Sequence, residues 1–148
     1  MLEELLKYNH VANNEFIAVF SKAGVPVVDA ERLFSHILNA ADIWVSRIKK
    51  LPSNYDRFEL HPVKNFDQLE NDSYTALTGI LTGFDLSSDV IYKIGTGEEF
   101  TSRVSDILFH IVNHSTYHRG QIASIFRRQD IEPPVTDYVL LKRKGLLV

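Results

Sequence analysis

Apolar residues recur with the period of an α-helix in four separate stretches of the chain. In residues 2–23 the apolar stripe is followed by Gly24 and Pro26, which are stop signals. Apolar positions three to four residues apart are typical of an amphipathic helix that packs one face on a core. The same spacing predicts three further helices, over residues 29–50, 65–84 and 102–129. Four such helices predict an all-α four-helix bundle that forms one domain over residues 1–148.

Polar residues mark the start of two of these predicted helices. Asp29 is a residue type that commonly caps a helix N-terminus, and it precedes the apolar stripe of the second helix. Asn65 and Gln68 have the spacing of a capping box at the start of the third helix. We therefore expect the side chains of these residues to bond the first backbone N–H groups.

The segments outside the predicted helices carry turn and strand signals. Residues 52–65 contain two prolines and predict a long connection, in which His61 is expected to be a surface loop residue. Residues 89–101 contain a strand-like run and two glycines, which predicts a short β-hairpin or an irregular crossover before the last helix. After a Pro-Pro pair, residues 135–141 are predicted to be extended and to lie against the bundle.

Three histidines recur every fourth residue in the last predicted helix. A step of four residues advances about 40° around a helix, so His110, His114 and His118 lie almost above one another. Ile111 and Ile122 share a narrow sector with His114 and His118. This pattern predicts that these two histidines point into the core and that His110 lies on the flank.

Two interpretations of the inward histidine pair are open. The imidazoles are either metal ligands or core residues that bond neighbouring polar side chains. The spacing favours metal, because the same i, i+4 spacing places both histidines of a helical HExxH motif on one ion. Ser115 stands where that motif has glutamate, so the pair lacks the general base of the protease motif. His36, early in the second helix, is the natural third ligand, because a catalytic site keeps three protein ligands and one open position.

Other polar residues on or near the apolar stripes are candidates for the interior. Asn9 and Asn13 fall on the stripe of the first helix and are predicted either to line an inner cavity or to lie at an exposed end of the bundle. Tyr74 is predicted either to pack or to reach the inner site with its hydroxyl. Gln121 is angled inward and is predicted to bond a ligand or substrate, whereas Arg119 is predicted to form an interhelical or surface ion pair.

Composition and charge narrow the classes of function. The chain has 16 Lys and Arg against 19 Asp and Glu, and its one dense basic cluster is residues 142–144. Nucleic-acid binding requires a basic face, so a DNA or RNA partner is disfavoured. The chain has no cysteine, which excludes disulfides, a Cys nucleophile and thiolate-bound zinc. No apolar run is long enough for a bilayer, and none at the N-terminus resembles a signal peptide, so we predict a cytoplasmic protein without a membrane partner.

Several sequence elements occur together in the order found in a known family. They are Tyr8-Asn9 and Asn13, His36, the run Asn113-His114-Ser115-Thr116-Tyr117-His118-Arg119-Gly120-Gln121-Ile122, Pro133-Pro134, and Thr136-Asp137-Tyr138. With these elements the chain resembles the DinB-like (damage-inducible) four-helix bundle proteins over almost its full length. It departs from the family at Val11, where Trp is common, and that difference affects the shape of the pocket but not the ligand positions.

The resemblance implies an up-down-down-up bundle that forms homodimers. It also implies a divalent metal ion, often nickel or zinc, bound through His36, His114 and His118. Some relatives, the bacillithiol and mycothiol transferases, use such a metal to activate a thiol. A low-molecular-weight thiol is therefore a further implied cofactor.

The predicted ligand set indicates a class of reaction. Three neutral imidazoles leave the charge of a divalent ion largely uncompensated, which favours a thiolate or hydroxide at the open position. The leading hypothesis is a metal-dependent enzyme that transfers a low-molecular-weight thiol to a small electrophilic substrate. The nearest alternative is a metal-dependent hydrolase. The others are a non-catalytic stress-response or binding module with a structural or vestigial metal, and a protein whose histidines bind no metal.

Overall fold

Four long helices and a β-hairpin make up most of the chain. The computed structural model describes residues 1–147. The elements, in chain order, are α1 (Leu2–Lys22), α2 (Val28–Lys49), α3 (Phe66–Gly83), β1 (Asp89–Lys93), β2 (Glu99–Arg103), α4 (Val104–Arg128) and α5 (Tyr138–Arg143). Each long helix lies within three residues of its predicted bounds, which confirms the mostly helical fold. Over the described residues, no helix is both long and apolar enough to span a lipid bilayer.

The directions of the four long helices follow from the core residues that meet. One cluster of buried side chains contains Leu6 of α1, Val45 and Ile48 of α2, Leu77 and Ile80 of α3, and Ile107 and Leu108 of α4. A second contains Phe16 and Phe20 of α1, Ala30 and Phe34 of α2, Phe66 of α3, and Ile122 and Phe126 of α4. The first cluster therefore joins the starts of α1 and α4 to the ends of α2 and α3. The bundle runs up-down-down-up, as the family resemblance implies.

Two of the predicted helix caps are wrong. Helix α2 begins one residue before Asp29, and the carboxylate of Glu31 accepts a hydrogen bond from the backbone N–H of Val27 at 2.6 Å. No side-chain cap forms at Asn65, because a turn of 3₁₀ helix, Val63–Asn65, leads directly into α3. The turn's backbone already continues into the helix, so the side chain is not needed there.

The predicted hairpin is confirmed and leads straight into the last long helix. Strands β1 and β2 pair antiparallel, with Asp89 opposite Arg103 and Lys93 opposite Glu99. Gly97 turns the chain with a positive φ of 85°, a backbone conformation that glycine adopts without strain. The backbone N–H of Val104 donates to the carbonyl of Ser88 at 3.0 Å, which ties the start of α4 to the base of the hairpin.

The C-terminal segment is helical where it was predicted to be extended. The Pro-Pro pair excludes helix only around itself, and a short helix, α5, begins four residues later, at Tyr138. Leu141 is buried in the first core cluster, and the Tyr138 ring packs edge-on against Tyr8 at 5.6 Å. The segment thus lies against the bundle as expected, but it does so as a helix.

Side chains of α2 hold down the long connection between α2 and α3. The amide of Asn39 donates to the carbonyls of Arg57 (3.3 Å) and Glu59 (2.8 Å), and its oxygen accepts a hydrogen bond from Nε2 of His61 at 2.6 Å. The carboxylate of Asp42 accepts from the backbone N–H of Asn54 at 2.8 Å. His61 is buried, so its prediction as a surface residue is wrong. These bonds fix the connection along α2, beside the histidines.

Candidate metal centre

Helices α2 and α4 bring three histidines together. His36 comes from α2, and His114 and His118 come from successive turns of α4. One ring nitrogen of each histidine lies within 4.8 Å of the others, and the Nε2 atoms of His36 and His114 are 3.1 Å apart. Among the described residues, the only group with this metal-ligand geometry is these three half-buried side chains. The structure therefore juxtaposes the three residues that the sequence singles out.

Hydrogen bonds fix the orientation of two of the imidazoles. Nδ1 of His36 lies 3.1 Å from the backbone carbonyl of Arg57, and Nδ1 of His118 lies 2.7 Å from the side-chain carbonyl of Gln121. A carbonyl oxygen only accepts, so each Nδ1 carries the hydrogen and donates it. The Nε2 atoms of His36 and His118 are then left with their lone pairs. This outer hydrogen bond is the usual means by which proteins orient a metal-binding histidine.

The spacing and chemistry of the donors fit a divalent ion. Two ligand nitrogens that each lie about 2.1 Å from one ion are about 3.1 Å apart when they subtend roughly 95° at it. That separation is observed between His36 and His114. Without an ion, the same distance lets one of these nitrogens donate a hydrogen bond to the other. Three neutral nitrogen donors suit zinc, nickel and similar ions and leave a coordination position for another molecule.

The environment keeps the imidazoles of His36 and His114 neutral at physiological pH. Burial, together with the smaller effects of the nearby His118, His36 and His110, lowers the pKa of His114 to about 3. Burial also lowers the pKa of His36, although its hydrogen bond to the Arg57 carbonyl opposes that shift. Neutral imidazole is the form that binds a metal ion, so protons compete weakly for these two residues near pH 7.

The low pKa of His114 predicts a loss of stability in acid for the metal-free protein. The folded-state pKa is below the unfolded value of about 6.5, so the folded state binds fewer protons and loses stability as pH falls from about 6.5 towards 3. We expect His114→Gln to remove part of this loss. Between pH 7 and pH 5 the variant should lose about 1 kcal/mol less unfolding free energy than the wild type, after allowance for the partial exposure of the side chain.

Urea unfolding of chelator-treated protein, compared at pH 7 and pH 5, measures this difference. Equal losses in wild type and variant would show that His114 is not held neutral in the folded state. The wild type and His114→Gln must be compared without metal, because a bound ion would stabilise the wild type alone.

The buried stripe of α4 is centred one residue away from its predicted position. Ser115 and Arg119, together with Ile111 and Ile122, occupy the fully buried face, while His114 and His118 lie half-buried beside it. The prediction that both histidines point into the core is therefore wrong in degree. Their position at the edge of the core leaves one side of the histidine cluster open to the surface. His110 is exposed one turn away and packs against Trp44 at 5.3 Å.

Arg119 lies inside the bundle and forms no surface ion pair. Its side chain is 2% exposed, and its Nη1 donates to the side-chain oxygens of Asn9 (2.8 Å) and Asn13 (2.7 Å). Its Nη2 donates to the hydroxyl of Thr116 at 3.0 Å. Asn9 and Asn13 were predicted either to line an inner cavity or to lie at an exposed end of the bundle. They are buried, and their side-chain oxygens accept hydrogen bonds from Arg119. The contact between α1 and α4 confirms only the interhelical part of the Arg119 prediction.

Glu70 extends this network and was not singled out by sequence. Its carboxylate accepts hydrogen bonds from the Asn13 amide at 3.0 Å and from Nδ1 of His10 at 3.1 Å, and burial raises its pKa. The Tyr74 ring stacks on the His10 ring, with the ring centroids 4.1 Å apart. Tyr74 therefore packs against this network and not against the histidine cluster. An acidic residue in line with Phe66 on the apolar stripe of α3 is the sequence signal that could have found it.

The predicted role of Gln121 is confirmed in part. It bonds a member of the histidine cluster, His118, but its side chain approaches from the exposed edge of α4 and not from the core. Gln121 is three residues after His118, which is one helical turn. The bond is therefore local and depends little on the rest of the fold.

An open cleft of about 330 Å³ adjoins the histidines. Its walls come from α2, the connection after α2, the hairpin and α4. They include Trp44, Arg47, Arg57, Phe58, Ile94 and His110 in addition to His36 and His114. A molecule in this cleft would lie directly against two of the three candidate metal ligands.

Comparison with known proteins identifies the family of the chain. A model of the DinB family matches residues 4–145. A 37-residue stretch is 49% identical to a protein of Bacillus subtilis (strain 168) named Protein DinB. That stretch is 25% of this chain and 22% of the Bacillus protein, so the chain aligns with about a fifth of that relative's length. Because the family match extends over nearly the whole chain, this protein belongs to the DinB family.

Proposed function

We propose that this protein is a metal-dependent enzyme that transfers a low-molecular-weight thiol to an electrophile. In this proposal His36, His114 and His118 hold a nickel or zinc ion. The observation that carries it is the convergence of three imidazoles beside an open cleft. A divalent ion bound there would lower the pKa of a thiol that reached its open position.

In this proposal the groups around the histidines hold the imidazoles in the orientation that an ion needs. Gln121 and the Arg57 carbonyl hold the Nδ1 hydrogens of His118 and His36, so that Nε2 is available for the ion. The ring of Phe58 stacks on His36 at 5.0 Å and limits the motion of that imidazole. The cleft between α2 and the hairpin admits the reactants from the surface.

Thiol transfer by metal-loaded protein tests the proposal. A free thiol with a pKa of about 8.5 is only a few per cent ionised at pH 7, so complete ionisation increases the reactive form about 30-fold. We therefore expect protein purified without a His tag and loaded with zinc or nickel to accelerate conjugation of glutathione, a thiol of about this pKa, to 1-chloro-2,4-dinitrobenzene. The rate of thioether formation is followed by absorbance.

Three controls separate the alternatives. The acceleration should disappear after chelation and in His36→Ala, and it should persist in Arg127→Gln, an exposed position at the end of α4 that is not part of the cleft wall. Cleavage of p-nitrophenyl acetate without thioether formation would identify a hydrolase instead. Loss of the folded bundle on chelation, with neither reaction catalysed, would identify a structural metal, because such an ion contributes directly to folding stability.

The homodimer implied by the family resemblance stays a prediction. Phe109 and Tyr117 are exposed two turns apart on the outer face of α4, at 54% and 66%. Apolar side chains of this size on one face would suit a contact with a second copy. The cytoplasmic location and the absence of a nucleic-acid partner also stay predictions.

A further inference from the structure

We propose that the cleft beside the histidines binds an organic acid, with its carboxylate between Arg47 and Arg57 and its apolar body against Trp44 and Phe58. The inference names the substrate class of the proposed metal site and so rests on the proposed function. It is carried by two cationic side chains and two aromatic rings on the walls of one cleft.

The guanidinium of Arg47 is held in a defined position. It lies over the ring of Trp44 at 4.5 Å and over the ring of Tyr92 at 4.9 Å, and its Nη2 donates to the backbone carbonyl of Lys93 at 3.2 Å. A guanidinium has five N–H donors, so the one bond to Lys93 leaves others for a ligand. Contact with both rings and the bond to Lys93 limit the movement of the group, whose remaining N–H donors can bond both oxygens of a carboxylate.

Arg57 is placed in the wall of the same cleft by the connection after α2. Its backbone carbonyl is bonded by both Asn39 and His36, so the root of its side chain is fixed. Phe58 follows it, is 65% exposed, and lies over His36. This pair therefore presents one charge and one apolar ring to whatever enters the cleft.

The charges of the two arginines are not balanced by acidic side chains. Within residues 1–147, the ion pairs join His10 to Glu70, Arg32 to Asp29 and Lys142 to Glu4, and none involves Arg47 or Arg57. Asp56 shares an adjoining depression with both arginines, but it pairs with neither. Burial lowers the pKa of Arg47, and the charge of Arg57 adds to that effect, so the two cations are close enough to repel each other. A bound carboxylate would relieve this repulsion.

The size and position of the cleft favour a small molecule over a polymer. Its volume of about 330 Å³ is at the lower end of the range for ligand pockets. Trp44 and Phe58 offer faces for an apolar body, while His36 and His114 line the same space. An acid anchored at the arginines would thus place its other end beside the histidines.

Binding of a simple aromatic acid to metal-free protein tests the inference. The probe is 3-phenylpropionate and its neutral counterpart is 3-phenylpropan-1-ol, each titrated into chelated and dialysed protein and followed by NMR chemical shifts. We expect the acid to bind at least about tenfold more tightly than the alcohol, because a charge-assisted hydrogen bond is worth at least that factor. Raising the salt concentration should reduce this preference.

Variants assign the preference to the two arginines. Arg57→Gln and Arg47→Gln should each abolish most of the preference for the acid, and Arg127→Gln, an exposed arginine at the end of α4, should retain it. Thermal melting shows whether the variants are folded, and Arg57, which is exposed, is the safer of the two substitutions.

The outcomes separate this inference from the proposed function. Equal binding of acid and alcohol, no binding of either, or an unchanged preference in Arg57→Gln overturns the inference even if thiol transfer is found. Preferential binding of the acid in the absence of thiol transfer upholds it and overturns the proposed function alone.

Discussion

Replacement of Arg119 by methionine is expected to lower the free energy of unfolding by about 3–5 kcal/mol, the cost of removing one partner from a buried charged network. The guanidinium donates hydrogen bonds to the side-chain oxygens of Asn9 and Asn13, and the amide nitrogen of Asn13 donates to the carboxylate of Glu70. Methionine fills similar space but donates nothing. Two buried oxygens then lose their donors, and the carboxylate of Glu70 loses the nearby positive charge.

Urea unfolding at pH 7 measures this loss. Arg127→Met, on the exposed end of the same helix, is the matched control and should change stability by less than about 0.5 kcal/mol. The double variant Arg119→Met with Glu70→Gln should lose less unfolding free energy than the sum of the losses in the two single variants, because the two residues are coupled through Asn13. Additive losses would mean that the two charged groups do not act together.

Replacement of His114 by alanine is expected to reduce zinc affinity far more than a change at any residue of α4 outside the three-histidine cluster. The substitution removes one of three donor nitrogens and leaves the ion with two protein ligands. The loss should exceed the roughly 10–100-fold that follows when only an outer hydrogen bond to a ligand is removed. Competition with a chromophoric chelator measures the affinity directly.

Two neighbours in the same helix give graded controls for that experiment. Gln121→Ala removes the bond to Nδ1 of His118 and should cost about 10–100-fold in affinity. His110→Ala removes a histidine one turn before His114 that lies outside the cluster, and it should leave the affinity unchanged. A loss in His110→Ala equal to that in His114→Ala would refute the assignment of the three ligands.

The helices were predictable because their signal is local and repeated. Apolar spacing over 18 to 25 residues fixes each helix to within a few positions, and glycine and proline mark its ends. Caps and the short helix α5 were not predicted correctly, because they depend on one or two bonds that a neighbouring side chain can replace. At the start of α2, for example, Glu31 and not Asp29 bonds a backbone N–H group, that of Val27.

The candidate ligands were predictable, but the interior around them was not. A histidine on an apolar stripe attracts notice, whereas arginine is rarely buried and so Arg119 was assigned away from the core. Its burial is possible only because Asn9 and Asn13 face it from α1, 110 and 106 residues earlier in the chain. Periodicity within one helix carries no information about such partners. The result was a helical stripe centred one residue too early, on His114 instead of Ser115.

The connection that follows α2 is attached to that helix through its backbone, while its side chains form part of the cleft wall. Asn39 and Asp42 secure it through backbone atoms, which every amino acid other than proline supplies in the same way. The side chains of Arg57 and Phe58 are left to face the cleft. These two side chains can therefore be exchanged at little cost to folding, so the surface that the cleft presents to a ligand can change while His36 and His114 keep their places.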